Sequence, residues 1–244
     1  MRRRSLALLF AAALAAGARP AAATPVGEPS VAINGETIPL ASLGCGTPGA
    51  TGGPTVCSGS GFQGTGFSLD AWAFLFDPDP SITSNFTLTN LSAVTQTFII
   101  TVTLPIATVG PGIAITGSTG TGTLTDLNAN GATLTDDGNS LFANRVNGSS
   151  LHTLLDPPQL YVAPANPLGG PSSVSIPGAS YGPIVLNQTA DTNMSIRWEF
   201  TLTAADQLQM SGTFDVQAAA VPEPGTLLLL GSGLAGLVAF HRRA

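Results

Sequence analysis

Apolar and polar residues alternate along the middle of the chain, and no stretch there keeps a helical period. Apolar residues take every second position through much of Asn85–Pro105 and Ser195–Val216, and threonine fills most of the positions between them. A period of two predicts strands with one face in a core and the other in water. We expect each stretch to form a pair of strands. The second pair turns at Ala204–Asp206, where a short helical loop is an alternative.

Short runs of β-branched and aromatic residues, separated by turn residues, extend this pattern over most of the chain. The turn signals are DPDP at Asp77–Pro80 and the Asn-Gly or Asp-Gly pairs that begin at Asn130, Asp137 and Asn147. Many short strands at this spacing predict an all-β fold, an antiparallel β-sandwich of the jelly-roll or immunoglobulin-like type. By contrast, the proline-rich segment Leu151–Pro183 predicts a long irregular excursion over the surface. The predicted strands are Val31–Leu40, Ala71–Phe76, Asn85–Asn90, Thr97–Leu104, Gly122–Leu127, Ala132–Thr135, Leu141–Val146, Tyr161–Ala163, Val174–Ile176, Ser195–Ala204 and Gln207–Val216.

The first residues have a different hydropathy pattern. Three arginines, Arg2–Arg4, precede an apolar run from Leu6 to about Ala16, and small residues follow at Ala21–Ala23. This is the pattern of a secretory signal peptide with an A-x-A cleavage site. We therefore expect residues 1–23 to be a signal peptide helix and residues 24–220 to be the exported domain.

The last residues predict a membrane-associated tail over 221–244. A proline-containing box, made of Val221, Pro222, Glu223 and Pro224, precedes an apolar run of sixteen residues, Gly225–Phe240. As a helix this run spans about 24 Å, less than the roughly 30 Å of a bilayer's hydrocarbon core. Flanking residues and snorkelling arginines extend it. The sequence thus predicts one transmembrane helix, with Arg242 and Arg243 as a basic anchor on the cytoplasmic side.

This box, apolar helix and arginine pair together resemble the PEP-CTERM sorting signal of Gram-negative bacteria. The resemblance implies recognition by an exosortase, a membrane cysteine protease that is expected to cleave near Pro222-Glu223-Pro224. The prolines exclude helix from the box and so present extended backbone to a protease. The resemblance also implies passage through the secretion machinery, a transient inner-membrane tether, and a final place at the cell surface or in an extracellular, exopolysaccharide-rich biofilm matrix. More weakly, the stretch from AFLFDPDPSI to TQTFIITVTLPI is similar to the β-sandwich bodies of such proteins.

Charge in the predicted exported domain is strongly one-sided. Between Thr24 and Val221 there are thirteen acidic residues but only two basic ones, Arg145 and Arg197, which gives a formal charge of −11. Two arginines cannot neutralise a row of phosphates, so the composition argues against nucleic-acid binding. The same acidic field attracts divalent cations.

Cys45 and Cys57 are the only cysteines in the chain. An exported protein meets an oxidising compartment, where a disulfide between them is the expected state. A metal site would need further thiols or histidines close by in the sequence, and the surrounding loop offers none. We therefore predict a Cys45–Cys57 disulfide that closes a short loop.

One stretch has the ligand spacing of a calcium loop. Asp126, Asn128, Asn130 and Asp137, with a glycine after Asn130, fit the pattern D-x-N-x-N-G-x5-D. Aspartate at the twelfth position is shorter than the usual glutamate, and no helices are predicted to flank the loop. The alternative is an Asn-Gly hairpin between the predicted strands on either side. Calcium is the one cofactor that any motif in the chain suggests.

Catalytic motifs are scarce. His152 has serines and Asp156 near it in sequence, but no G-x-S-x-G, HExxH, Walker or dinucleotide fingerprint is present. Trp72 and Trp198 could stack on sugars, but both lie within apolar alternation, which favours the core. The sequence thus predicts a non-enzymatic surface or extracellular-matrix protein. A carbohydrate- or calcium-binding β-sandwich module is the alternative.

Overall fold

A computed structural model describes residues 27–46 and 53–219, together with Ser232. Within these residues the chain forms seventeen strands and one short 3-10 helix, Leu40–Leu43. The strands are β1 (Ser30–Ile33), β2 (Glu36–Ile38), β3 (Thr55–Gly59), β4 (Phe62–Gly64), β5 (Phe67–Asp77), β6 (Ser81–Asn90), β7 (Gln96–Pro105), β8 (Ile113–Thr119), β9 (Gly122–Asp126), β10 (Ala132–Thr135), β11 (Phe142–Val146), β12 (Ser149–Leu154), β13 (Leu160–Ala163), β14 (Ser172–Ile176), β15 (Ala179–Leu186), β16 (Asn193–Leu202) and β17 (Gln207–Ala218).

These strands form two antiparallel sheets. Sheet A has eight strands in the order β12-β11-β16-β7-β1-β2, with β10 beside the far end of β16 and β13 beside β10. Sheet B has nine, in the order β14-β9-β17-β6-β5-β3, with β8 and β15 continuing from β17 and β4 beside β5. The prediction of an all-β antiparallel sandwich is confirmed. The sheets hold more strands than a jelly roll or an immunoglobulin domain, so the coarser term describes the fold.

The inner faces of the two sheets meet in one apolar core. At its centre the Trp198 ring of sheet A lies 4.6 Å from the ring of Phe142 and 5.7 Å from that of Phe86 in sheet B. Its indole N–H donates to Ser84 Oγ across the sheets at 3.1 Å. The side chain of Trp72 is also buried, in keeping with the predicted core role of both tryptophans. Full burial of each such large side chain contributes about 1.5–3 kcal/mol relative to exposure.

Several connections cross from one sheet to the other instead of forming hairpins, and hydrogen bonds link three of them. Residues 91–95 join β6 in sheet B to β7 in sheet A, 127–131 join β9 to β10, and 203–206 join β16 to β17. Asn90 N–H donates to the Asp206 carbonyl at 2.9 Å, which ties the first crossing to the third. We call this part of the sandwich the arch end.

The arch end corrects the predicted pairings. Asn85–Pro105 and Ser195–Val216 each supply two strands, but the two strands of each stretch lie in opposite sheets and do not pair with each other. Alternation identifies which face of a strand is buried. Two strands that pair within a sheet and two strands that face each other across the core show the same alternation, so the pattern cannot distinguish these arrangements. Two hairpins form at predicted turn residues, β5–β6 at Asp77–Pro80 and β11–β12 at Asn147-Gly148.

Other strands also differ from the prediction. The segment Leu151–Pro183 is not irregular, since it contains β13, β14 and parts of β12 and β15. Its prolines lie in connections or, like Pro183, at a register shift on a sheet edge, where the missing N–H is tolerated. Val31–Leu40 is a hairpin that turns at Asn34-Gly35, with φ angles of 52° and 82°, and runs into the 3-10 helix. Strands β3, β4, β8, β12 and β15 were not predicted.

Among the described residues, no helix is long and apolar enough to cross a membrane. The predicted signal peptide, residues 1–23, lies outside the described part of the chain. So does the predicted transmembrane tail, 221–244, apart from Ser232, which has helical conformation.

Candidate functional site

The two cysteines fasten the N-terminal segment to sheet B. Cys45, directly after the 3-10 helix, forms a disulfide with Cys57, which is fully buried in β3. Beside it the indole N–H of Trp72 donates to the Leu43 carbonyl at 2.8 Å. The predicted disulfide is thus formed, and its position at a sheet edge gives it a structural role.

Three of the four predicted calcium ligands lie together at the arch end, where they hold the backbone of their own loop. The carboxylate of Asp126 is fully buried. Its Oδ1 accepts the N–H of Asn128 at 3.1 Å, and its Oδ2 accepts the N–H of Gly131 at 2.8 Å. Asn128 Oδ1 in turn accepts the N–H of Asn130 at 3.1 Å. These bonds occupy both carboxylate oxygens of the first predicted ligand.

Asp137 does not join them. The four residues of β10, Ala132–Thr135, lie between Gly131 and Asp137, and an extended strand of that length covers about 13 Å. Nowhere in residues 27–46 and 53–219 do three or more His, Cys, Asp or Glu side chains gather in an arrangement that could hold a metal ion. The hairpin alternative for this stretch is wrong, because β9 and β10 lie in opposite sheets.

A second buried carboxylate, Asp206, lies close to Asp126 at the arch end. One of its oxygens accepts the hydroxyl of Thr203. Burial raises the pKa of Asp206 above its usual value, against the hydrogen bonds from the Thr203 hydroxyl and the Leu127 backbone, and the negative charge of Asp126 adds a smaller increase. Folding therefore disfavours the charged form of Asp206, and the stability of the arch end depends on pH.

His152 takes part in packing between the sheets. Its ring stacks on that of Tyr181 from sheet B, with centroids 4.0 Å apart and an angle of 18°. Asn144 Nδ2 donates to the Tyr181 hydroxyl at 2.5 Å, and burial raises the pKa of that hydroxyl to about 12. Ser150 pairs with the outward-facing Arg145, whereas His152 pairs with the buried Asn144, so serine and histidine are on opposite faces of β12.

The outer face of sheet A carries a polar cleft of about 330 Å³, which we call the arginine cleft. Trp198 and Phe142 point into the core, so alternation turns their neighbours Arg197 on β16 and Ala143 on β11 outward. Arg145, two residues along β11, faces outward as well. Loops before β11 and after β12 form the walls. The cleft is lined by Gly138, Asn139, Ser140, Ala143, Arg145, Ser150, Thr153, Pro157, Arg197 and Glu199.

Inside the cleft, Glu199 is held from two sides. Arg197 Nη2 lies 2.5 Å from Glu199 Oε2, and Asn139 Nδ2 donates to Oε1 at 3.1 Å. The Nε of Arg197 is buried and has no hydrogen-bond partner in the described part of the chain. Arg145 donates from Nη2 to the carbonyl of Gly148 in its own hairpin. The lining side chains therefore bear two positive charges and one negative charge.

Two further carboxylates order the walls of the arginine cleft. Asp136 accepts the backbone N–H groups of Gln159 and Gly138, and these bonds hold its pKa below the usual value. Asp156 accepts the Ser140 hydroxyl at 2.6 Å, and this bond is the main cause that lowers the Asp156 pKa. Both carboxylates are engaged with the loops that they hold.

Both arginines are evident from the sequence, but the arginine cleft is not. FANRV and SIRWE each put an arginine on the polar side of an alternating strand, which is the available signal. The two strands are about fifty residues apart in the chain, and their pairing cannot be read from a local period.

Comparison with protein-family models matches residues 220–243 to the PEP-CTERM protein-sorting motif. The match contains Pro222-Glu223-Pro224, the apolar run and both terminal arginines, which lie outside the described residues apart from Ser232. None of the curated proteins compared with the chain matches it. The motif implies an exosortase-sorted extracellular protein and indicates export and membrane-anchored sorting. Residues 220–243 of this chain are a PEP-CTERM protein-sorting motif.

Proposed function

We propose that the chain is a non-enzymatic protein of the cell surface or of an exopolysaccharide-rich biofilm matrix. It is exported with a cleaved signal peptide, tethered briefly by its C-terminal helix, and cut by an exosortase at the box Val221–Pro224. The observation that carries this proposal is the sorting motif at residues 220–243.

Several properties of the described domain support an extracellular, structural role. The Cys45–Cys57 disulfide suits an oxidising compartment. His152 is the candidate for a general base, but the neighbouring Ser150 lies on the opposite face of the strand. A nucleophile and its base must come within hydrogen-bond reach, so these two residues do not form a catalytic pair.

The sorting step is tested by the mass of the mature C-terminus. We expect wild-type protein recovered from the cell surface or medium to lack Arg242-Arg243. In a strain without exosortase, or in the variant Glu223→Ala, the intact tail should stay in the membrane fraction. Thr226→Ala, which lies in the same tail but outside the box, serves as the matched control and should be processed normally.

Two results would contradict this proposal. One is mature extracellular protein that still carries Arg242-Arg243. The other is normal processing in the strain without exosortase.

A second candidate function, a carbohydrate-binding module, is favoured by the arginine cleft. It is compatible with the first, since a matrix protein needs a surface that contacts the matrix. Its ligand chemistry follows from the cleft itself.

A further inference from the structure

We propose that the arginine cleft binds the carboxylate of an acidic saccharide, a uronate unit of a polysaccharide. That the ligand is a saccharide rests on the proposed matrix function. That it carries a carboxylate rests on the arginine cleft alone.

The distribution of charge singles out this cleft. Arg145 and Arg197 are the only basic side chains among the described residues other than His152, and both line the same 330 Å³ space. Of the thirteen acidic residues between Thr24 and Val221, Glu199 alone is in the lining, so the field around the cleft is negative. Local positive charge in a concave polar site is where an anion would be held.

The donors in the arginine cleft fit a carboxylate. A guanidinium offers a planar fork of N–H groups that matches two carboxylate oxygens. Arg197 donates from Nη2 to Glu199, while its buried Nε has no partner among the described residues. Arg145 is anchored only to a backbone carbonyl, which leaves other N–H groups free for a ligand.

Charge balance favours a single negative charge per binding unit. Arg145, Arg197 and Glu199 together leave one net positive charge in the lining, which one carboxylate neutralises. Two guanidinium groups, one of them paired with Glu199, are too few to neutralise a row of phosphates, which argues against a nucleic acid or a polyphosphate. A uronate polymer carries one carboxylate per sugar.

Hydroxyl groups complete the fit to a sugar. Ser150 and Thr153 stand beside the arginines on the outer face of β12 and can bond ring hydroxyls. The volume lies in the range of small-molecule sites. No aromatic side chain lines the arginine cleft, so it lacks the stacking surface on which neutral sugars commonly rest.

The test uses calorimetric titration of the full chain, purified in mild detergent, with two probes, oligogalacturonate and oligomannuronate of six units. We expect at least one to bind, and its methyl ester, which keeps the sugar backbone but lacks the charge, to bind at least about tenfold more weakly.

Variants then assign the affinity to the two guanidinium groups. Arg145→Gln should weaken binding of the acidic probe at least about tenfold. Arg197→Lys should also weaken it, because lysine keeps the charge opposite Glu199 but loses the planar fork. Gln63→Glu, on an exposed position of β4 in the other sheet, changes the net charge as much as Arg145→Gln does and should leave affinity unchanged. Thermal melts of each variant check that the fold is retained.

The proposal is overturned if neither acidic probe binds, if the ester binds as well as the acid, or if Arg145→Gln binds like wild type. Because the titration uses purified protein, it does not depend on sorting. Failure of the exosortase test would leave the cleft result standing, and failure of the titration would leave the sorting result standing.

Discussion

Reduction of the Cys45–Cys57 disulfide should lower the free energy of unfolding of the domain by an amount that the loop length predicts. The bond joins residues twelve apart in sequence and holds the segment after the 3-10 helix against β3. Reduction leaves the side chains in place, so the change is confined to the cross-link and to the contacts that it keeps close. The Trp72-to-Leu43 hydrogen bond is the nearest of these contacts.

Chain entropy sets the magnitude of this effect. Cross-linking a loop of that size removes entropy from the unfolded state worth about 3 kcal/mol at 25 °C. For a domain of this length, a loss of about 3 kcal/mol lowers the melting temperature by about 6–12 °C. The segment after the 3-10 helix should also loosen before the rest of the sandwich, because the bond lies next to the two hydrogen bonds that tie it to sheet B, Trp72 to Leu43 and Gly46 to Val56.

The assay is urea and thermal unfolding of the full chain with and without dithiothreitol, followed by tryptophan fluorescence. The double variant Cys45→Ala with Cys57→Ala should unfold at or below the midpoint of the reduced wild type and should not respond to the reductant. An unchanged midpoint on reduction of the wild type, with loss of the bond verified by mass, would refute this reasoning.

Two further outcomes follow from the carboxylates at the arch end. Because Asp206 has a raised pKa in the folded state, its contribution is fully present below the ordinary value of 3.8 and is lost as the pH rises through the folded value. The stability of the wild type relative to Asp206→Asn, which keeps an acceptor for Thr203, should therefore fall as the pH rises above about 4, measured by urea unfolding; a difference that grows with pH would contradict this. Millimolar calcium should not raise the melting temperature, since Asp137 lies beyond β10 and both oxygens of Asp126 accept backbone N–H groups; a rise that Asp126→Ala abolishes would show a site there.

Much of the fold is readable from the local sequence. Alternation in Ser195–Val216 fixes which side chains point inward, and burial of Trp198 and Phe214 follows it. Turn residues also act locally, because Asn-Gly at Asn147 permits the positive φ angles that a two-residue hairpin needs. Local rules therefore identified many of the strands and the turn residues of two hairpins, but not β3, β4, β8, β12 or β15.

Partners across the fold are not determined locally. The five residues 127–131 could close a hairpin or cross to the other sheet. The outcome depends on Asp126, whose carboxylate is buried and bonds the crossing backbone, and on contacts such as Asn128 Nδ2 to the Ala204 carbonyl at 3.1 Å. That contact joins residues 76 apart. The same nonlocal pairing, β11 with β16, assembles the arginine cleft.

Of the two arginines in the cleft, only one has a structural reason to be there. Glu199 is almost completely buried, and removal of its partner Arg197 would leave a buried charge unpaired, which is strongly destabilising. Among the described residues Arg145 forms an ion pair with no buried group, and its bond to the Gly148 carbonyl is exposed. If stability alone explained the arginine cleft, Arg145→Gln would be silent in every assay. A loss of uronate affinity without a loss of melting temperature in this variant would therefore assign Arg145 to binding.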